Sequence, residues 1–138
     1  MSSNGKITKS AEDDEASCPC EFSEMNVLIV DDDRASREGL RELFELRPNI
    51  TVIGEAINGE EAVNLVNALH PDLVVMDVQM PKMDGLEATR QIKQRTPDIR
   101  IILLTMYREY RAAALRSGAD AFLIKGDGIA QLLAAVTS

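Results

Sequence analysis

Four places along the chain carry residues able to act on one reacting group: Asp31-Asp32-Asp33, Asp77, Thr105 and Lys125. Each comes directly after an apolar run of strand type, and if those runs lie parallel in one sheet all four sets fall on the same edge. Carboxylates gathered there repel: a pair about 4 Å apart costs on the order of 4 kcal/mol at an effective dielectric of 20. A hard divalent cation offsets that repulsion. Mg²⁺ commonly takes one or two carboxylates, keeps several waters and accepts phosphate oxygens. Together with the fixed charge of Lys125 and the hydroxyl of Thr105, such a set suits acceptance of a phosphoryl group by a carboxylate. Aspartyl phosphates are established covalent intermediates, and the transferring group needs cations around its oxygens.

Five strand-like runs position these residues: Asn26 to Val30, Thr51 to Glu55, Leu73 to Met76, Ile99 to Leu104 and Ala121 to Ile124. The third and fourth contain Leu-Val-Val-Met and Ile-Ile-Leu-Leu, unbroken apolar stretches expected where both faces of a strand are buried. Between them apolar residues recur at helical spacing, as Leu40, Leu43 and Phe44, then Ala62, Val63, Val66 and Leu69. A third helix is predicted to begin near Asp84 and carry Leu86, Thr89 and Ile92. A fourth is expected from about Arg108 to Arg116, and a fifth uses Ile129, Leu132, Leu133 and Val136. Asn58-Gly59, Pro71, Pro97 and Ser117-Gly118 punctuate the joins. The alternation specifies an α/β fold, (βα)₅, with a doubly wound five-stranded parallel sheet and right-handed crossovers.

The bulk properties set limits. The chain has 138 residues, enough for one domain with one core, and 45% of them are hydrophobic and 28% charged, the balance of a globular protein. A formal net charge of −8 argues against direct nucleic-acid binding by this domain, which needs clustered Lys and Arg. No apolar run approaches the roughly 20 residues that cross a bilayer, so no membrane partner is expected and the location predicted is the cytoplasm. Residues 1–25 are polar, Ser-rich and acidic, and read as a disordered extension before a domain over 26–138. Because Met25 directly precedes the first strand, we expect it to be the translation start or the extension to be dispensable. Cys18 and Cys20 in that segment, with one distant His70, cannot assemble a four-ligand zinc site and read as solvated thiols.

The stretches Val-Leu-Ile-Val-Asp31-Asp32, Val-Val-Met-Asp77-Val-Gln-Met-Pro81-Lys-Met-Asp-Gly85, Leu-Leu-Thr105 and Phe122-Leu-Ile-Lys125 resemble the motifs of receiver domains of bacterial two-component response regulators. The resemblance covers residues 26–138, and the wording MDVQMPKMDGLEATR is similar to the NarL/LuxR-type subfamily. It implies a flavodoxin-like or CheY-like sheet of strand order 2-1-3-4-5. It also implies that Asp77 is the phosphoacceptor, that Asp32 binds Mg²⁺ directly with Asp31 helping through water, and that the backbone carbonyl of Gln79 is a further metal ligand. Thr105 resembles the switch hydroxyl, Lys125 the lysine that pairs with the phosphoryl group, and Phe122 the aromatic switch residue. A passive core role for Phe122 is the rival reading. Pro81 and Gly85 shape the loop behind the acceptor, Asp33 is expected to be exposed, and His70 is expected to face solvent.

The donor implied is a phosphohistidine on a sensor histidine kinase or a phosphotransfer protein, and the product a changed surface for a downstream protein target. A second copy of the chain is carried as a further partner. The receiver would catalyse its own phosphorylation and dephosphorylation, so whether it counts as an enzyme is a matter of definition. Two departures stand out. Between Thr105 and Lys125 the chain is about two residues shorter than usual, the shortage falling at Arg108-Glu109-Tyr110, so the fourth helix is expected to start later or sit differently. Only 13 residues follow Lys125, from which we expect a stand-alone regulator acting by docking, the alternative being a receiver fragment of a longer helix-turn-helix transcriptional regulator. Rival functions are a phosphatase of the haloacid dehalogenase class, echoed by Asp31-x-Asp33 and Thr105 but lacking an acidic pair after Lys125, and a phosphorylation-independent interaction module.

Overall fold

The structure is a computed structural model and describes residues 24–137. Five strands, β1 (Met25–Val30), β2 (Ile50–Ala56), β3 (Leu73–Met76), β4 (Arg100–Thr105) and β5 (Ala121–Ile124), form one parallel sheet in the order β2-β1-β3-β4-β5. Helices α1 (Arg34–Glu45), α2 (Gly59–Leu69), α3 (Gly85–Arg95) and α4 (Arg111–Arg116) lie in the four crossovers, and α5 (Ile129–Thr137) follows β5. This is the (βα)₅ arrangement expected, with its strand order.

The apolar runs of the central strands divide by residue parity, as a pleated strand requires. Val27, Ile29, Leu73, Val75, Ile102 and Leu104 pack with Phe44 of α1 and with Leu132 and Val136 of α5. Leu28, Val30, Val74, Met76, Ile101 and Leu103 pack with Ala62 and Val66 of α2, Ala88 and Ile92 of α3, and Ala114 of α4. The core is therefore two layers, one on each face of the sheet.

Three helices begin on side chains that accept from their own first turn: Asp33 from the Ser36 N–H, Asn58 from Glu61 and Asp84 from Glu87, each at 2.9 Å. Asp33, expected only to be exposed, is exposed and also has this capping task. His70 is exposed and closes α2 in the left-handed region at φ 50°.

Boundaries differ from expectation where a strand end is fixed by pairing and not by composition. Met25, assigned above to the extension, is the first residue of β1 and pairs with Ile50. The fourth strand is displaced by one residue, so Thr105 is its last member, opposite Ile124, and does not follow it. Arg108–Tyr110 form a 3₁₀ turn and α4 proper starts at Arg111, later than Arg108. Residues 1–23 of the expected disordered extension, with Cys18 and Cys20, lie outside the described residues.

Candidate acidic site at the carboxyl edge

The carboxyl ends of β1, β3, β4 and β5 bring the sequence-predicted residues together. One carboxylate oxygen from each of Asp31, Asp32 and Asp77 lies within 4.8 Å of the others. Their environments differ: Asp31 is buried, Asp77 half-buried and Asp32 exposed. Lys125 Nζ donates to Asp31 Oδ2 at 2.7 Å and to Asp77 Oδ2 at 3.1 Å, and reaches Ser36 Oγ at 3.5 Å. The other Asp31 oxygen accepts from the Asp33 backbone N–H at 2.9 Å, and Asp77 Oδ1 accepts from the Val78 N–H at 2.7 Å. Lys125 is thus the cation shared between the first and third strands' acids.

Burial pushes the Asp77 carboxyl above the usual carboxylate range. The hydrogen bond and charge of Lys125 oppose this, while the charge of Asp31 adds to it. For Lys125, burial acts downward, but hydrogen bonds and charges from Asp31 and Asp77 outweigh it and hold the ammonium above its ordinary value. The residues present fit a divalent cation: three oxygen donors converge, one of them exposed, and a single ammonium leaves their charge only partly offset.

Beside the acids is a cavity of about 640 Å³ lined by residues that include Asp32, Asp77, Gln79, Thr105 and Tyr107. Thr105 is buried, and its Oγ1 accepts from the Tyr107 backbone N–H at 3.4 Å. Gln79 is exposed and its side-chain Nε2 donates to the Tyr110 hydroxyl at 2.7 Å. Phe122 does not line the cavity. Its ring is 8% exposed, packed in the core near Ala114, with the Arg111 guanidinium carbon 5.9 Å from the ring centroid. Phe122 is therefore already buried in this structure, a placement that the switch reading and the passive core reading share.

Two glycines permit close approaches in the loops near Asp77. A Cβ on Gly85 would stand 2.1 Å from the Asp77 carbonyl oxygen, and one on Gly59 2.5 Å from that of Met83. The Gly85 N–H donates to Val78 O at 2.7 Å, which pins the Pro81 loop to the strand end.

Sequence reasoning missed several supporting residues. Arg37 donates from NH1 to the Asp31 carbonyl oxygen at 2.8 Å and from Nε to Glu55 at 3.1 Å, tying the acidic loop to β2. Ser36 and Asp84 stand at the site's edge, and Tyr110 behind Gln79. None carries a local signal of its place at the site, because each reaches it across a gap in sequence.

Comparison with known proteins agrees with this geometry. The family model for the response regulator receiver domain matches residues 27–137. The transcriptional regulatory protein YdfI of Bacillus subtilis is 48% identical over 72% of this chain and 47% of its own length. The response regulator UvrY of Escherichia coli O157:H7 is 41% identical over 83% of this chain and 53% of its own. Among solved structures, a LuxR-family two-component response regulator from Aurantimonas superposes with a TM-score of 0.79 at 37% identity, covering 83% of each chain. The signal receiver domain of a NarL regulator from Mycobacterium tuberculosis gives 0.78 at 29% identity, covering 83% of this chain and 94% of that one. The chain spans about half the length of the curated relatives it matches.

Proposed function

Since this chain belongs to the response regulator receiver domain family, we propose that Asp77 accepts a phosphoryl group from a phosphohistidine of a sensor kinase or phosphotransfer protein. The observation that carries the assignment is the convergence of Asp31, Asp32 and Asp77 on one point, with Lys125 bridging two of them. In the transfer, an Asp77 carboxylate oxygen forms a bond to phosphorus while the phosphorus–nitrogen bond to imidazole breaks, its electron pair leaving with the imidazole. Asp31, Asp32 and Asp77, with the Gln79 backbone carbonyl, would hold Mg²⁺, which supplies positive charge to the phosphoryl oxygens.

The protein's own residues do the rest. Lys125, kept protonated by its two acids, is placed to follow the new charge when a phosphoryl group adds about −1.5 to −2 charges and three acceptor oxygens. The Thr105 hydroxyl borders the same cavity and is the donor available to those oxygens. Drawing Thr105 toward the cavity alters its contact with Tyr107, and so reaches the 3₁₀ turn and α4. Phe122, buried beside α4, is the residue through which β5 would register that change.

Mg²⁺-dependent labelling of the chain by a small phosphodonor such as acetyl phosphate, abolished in Asp77→Asn, tests this reading. Labelling that persists in Asp77→Asn, or that ignores Mg²⁺, would overturn it. A phosphorylation-independent module would take no label, and a phosphatase of the haloacid dehalogenase class would turn over small phosphoesters at appreciable rates.

For the output, the relatives favour control of transcription through a longer protein over a stand-alone docking regulator. The chain corresponds to about half of proteins named transcriptional regulatory proteins. A solved relative, RcsB of Salmonella enterica at 26% identity, is described bound to promoter DNA with a phosphomimetic.

A further inference from the structure

Two side chains that line the acceptor cavity, Gln79 from the loop after β3 and Tyr107 from the stretch after β4, both touch a residue that does not line it. That residue is Tyr110. Its hydroxyl accepts from Gln79 Nε2 at 2.7 Å, and its ring meets the Tyr107 ring edge-on, with centroids 6.3 Å apart and planes at 80°. Its backbone N–H also donates to the Tyr107 carbonyl oxygen at 3.3 Å. The local reason is the 3₁₀ turn over Arg108–Tyr110: residues three apart in such a turn lie over one another, which stacks position 110 on position 107. Tyr110 is half-buried and packs on the core alongside Met80, so it is an anchored partner for an exposed glutamine side chain.

We propose that Tyr110 is a positioning residue for the phosphoryl site: it holds Gln79 and Tyr107 at the cavity and thereby limits the rate at which water reaches the acyl phosphate on Asp77. The proposal rests on the phosphoacceptor reading above and adds the control of the product's lifetime. In the step concerned, a water oxygen bonds to phosphorus and the phosphorus–oxygen bond to Asp77 breaks. The electron pair stays on the carboxylate, and inorganic phosphate leaves carrying the water's oxygen and one of its protons, the other proton passing to solvent. A glutamine released from its anchor samples its rotamers freely and opens this path, whereas one tied to a phenol set in the core keeps it narrow. The same tie makes the lifetime sensitive to the position of the 3₁₀ turn, which is joined to Thr105 through Tyr107.

Tyr110→Phe removes the hydroxyl and keeps the ring against Tyr107, so it isolates the bond to Gln79. The full chain is labelled with acetyl phosphate and Mg²⁺, the donor is removed, and decay of the phosphorylated form is followed in the unmodified protein, Tyr110→Phe, Gln79→Leu and the double variant. The loss of one neutral hydrogen bond of ordinary strength corresponds to about a fivefold change, so decay is expected to quicken about fivefold in Tyr110→Phe. The same substitution is expected to have little effect once Gln79 is Leu. In the unphosphorylated protein, the Gln79 side-chain amide resonances should shift in Tyr110→Phe. Unchanged decay in Tyr110→Phe, or equal acceleration in both backgrounds, would overturn the proposal. Failure of the unmodified chain to take label with Mg²⁺ would instead overturn the acceptor assignment beneath it.

Discussion

Lys125 donates its backbone N–H to the Thr105 carbonyl oxygen at 2.7 Å, just beyond the last paired residues of β4 and β5. Two residues 20 positions apart are thereby held as neighbours by the sheet itself. The Lys125 side chain carries its ammonium back to Asp31 and Asp77, while the Thr105 hydroxyl borders the cavity. The hydroxyl and the ammonium therefore come to the same acidic edge from the ends of one strand pair.

Removing the shared cation leaves Asp31 and Asp77 with backbone hydrogen bonds but without the ammonium that offsets their charges. Lys125→Ala is expected to lower stability at neutral pH, without divalent ions, by about 2 kcal/mol. That is below the roughly 3–5 typical of a fully buried pair, because this site opens onto a cavity. Added Mg²⁺ should raise the melting temperature of the variant more than that of the unmodified protein. Equal shifts in thermal melts would contradict the role given to Lys125.

Tyr107 is 46% exposed and forms part of the cavity wall. Tyr107→Ala should quicken loss of the phosphoryl group by about three- to tenfold, the span of a barrier change of about 0.6–1.4 kcal/mol. Phosphate release after removal of the donor measures this, and an unchanged rate would count against water exclusion by the ring.

Gly85 leaves no room for a methyl group against the Asp77 carbonyl oxygen. Gly85→Ala is expected to displace the acceptor loop, lowering stability in urea by about 2–3 kcal/mol and reducing labelling of Asp77. A variant as stable and as readily labelled as the parent would show that the loop yields without cost.

Glu55 is held below its ordinary value by a hydrogen bond from Arg41, opposed by burial and aided by the charge of Arg41 and by Arg37. A depressed carboxylate contributes stability above its unfolded value, near 4.5, and loses that contribution as pH falls through the lower folded value. Glu55→Gln should therefore be less stable than the parent at pH 7, with the gap narrowing in acid below about 4.5. Urea melts across pH would check this, and a pH-independent gap would exclude the linkage.

The fold was largely legible because its information is local and periodic. Unbroken apolar runs marked β3 and β4, helical spacing marked α1 and α2, and Asn58, Pro71 and Pro97 marked joins. Errors were confined to ends, where pairing with a neighbouring strand decides: Met25 joins β1 because Ile50 lies opposite it, and Thr105 belongs to β4 because Ile124 does. The acidic site was legible for the related reason that parallel strands deliver their carboxyl ends to one edge, so residue type and position after an apolar run suffice to place Asp31, Asp77 and Lys125 near one another.

By itself, then, the sequence determined the sheet, its two packed faces and the identity of the acids that meet at its edge. Tertiary structure alone decided how those acids are shared and who holds them: Lys125 divided between Asp31 and Asp77, Arg37 on the Asp31 carbonyl, and Tyr110 on Gln79. The physical reason is range. Hydrophobic periodicity is written within one element, whereas a hydrogen bond between side chains 31 or 94 residues apart depends on angles and distances that exist only once the elements have packed.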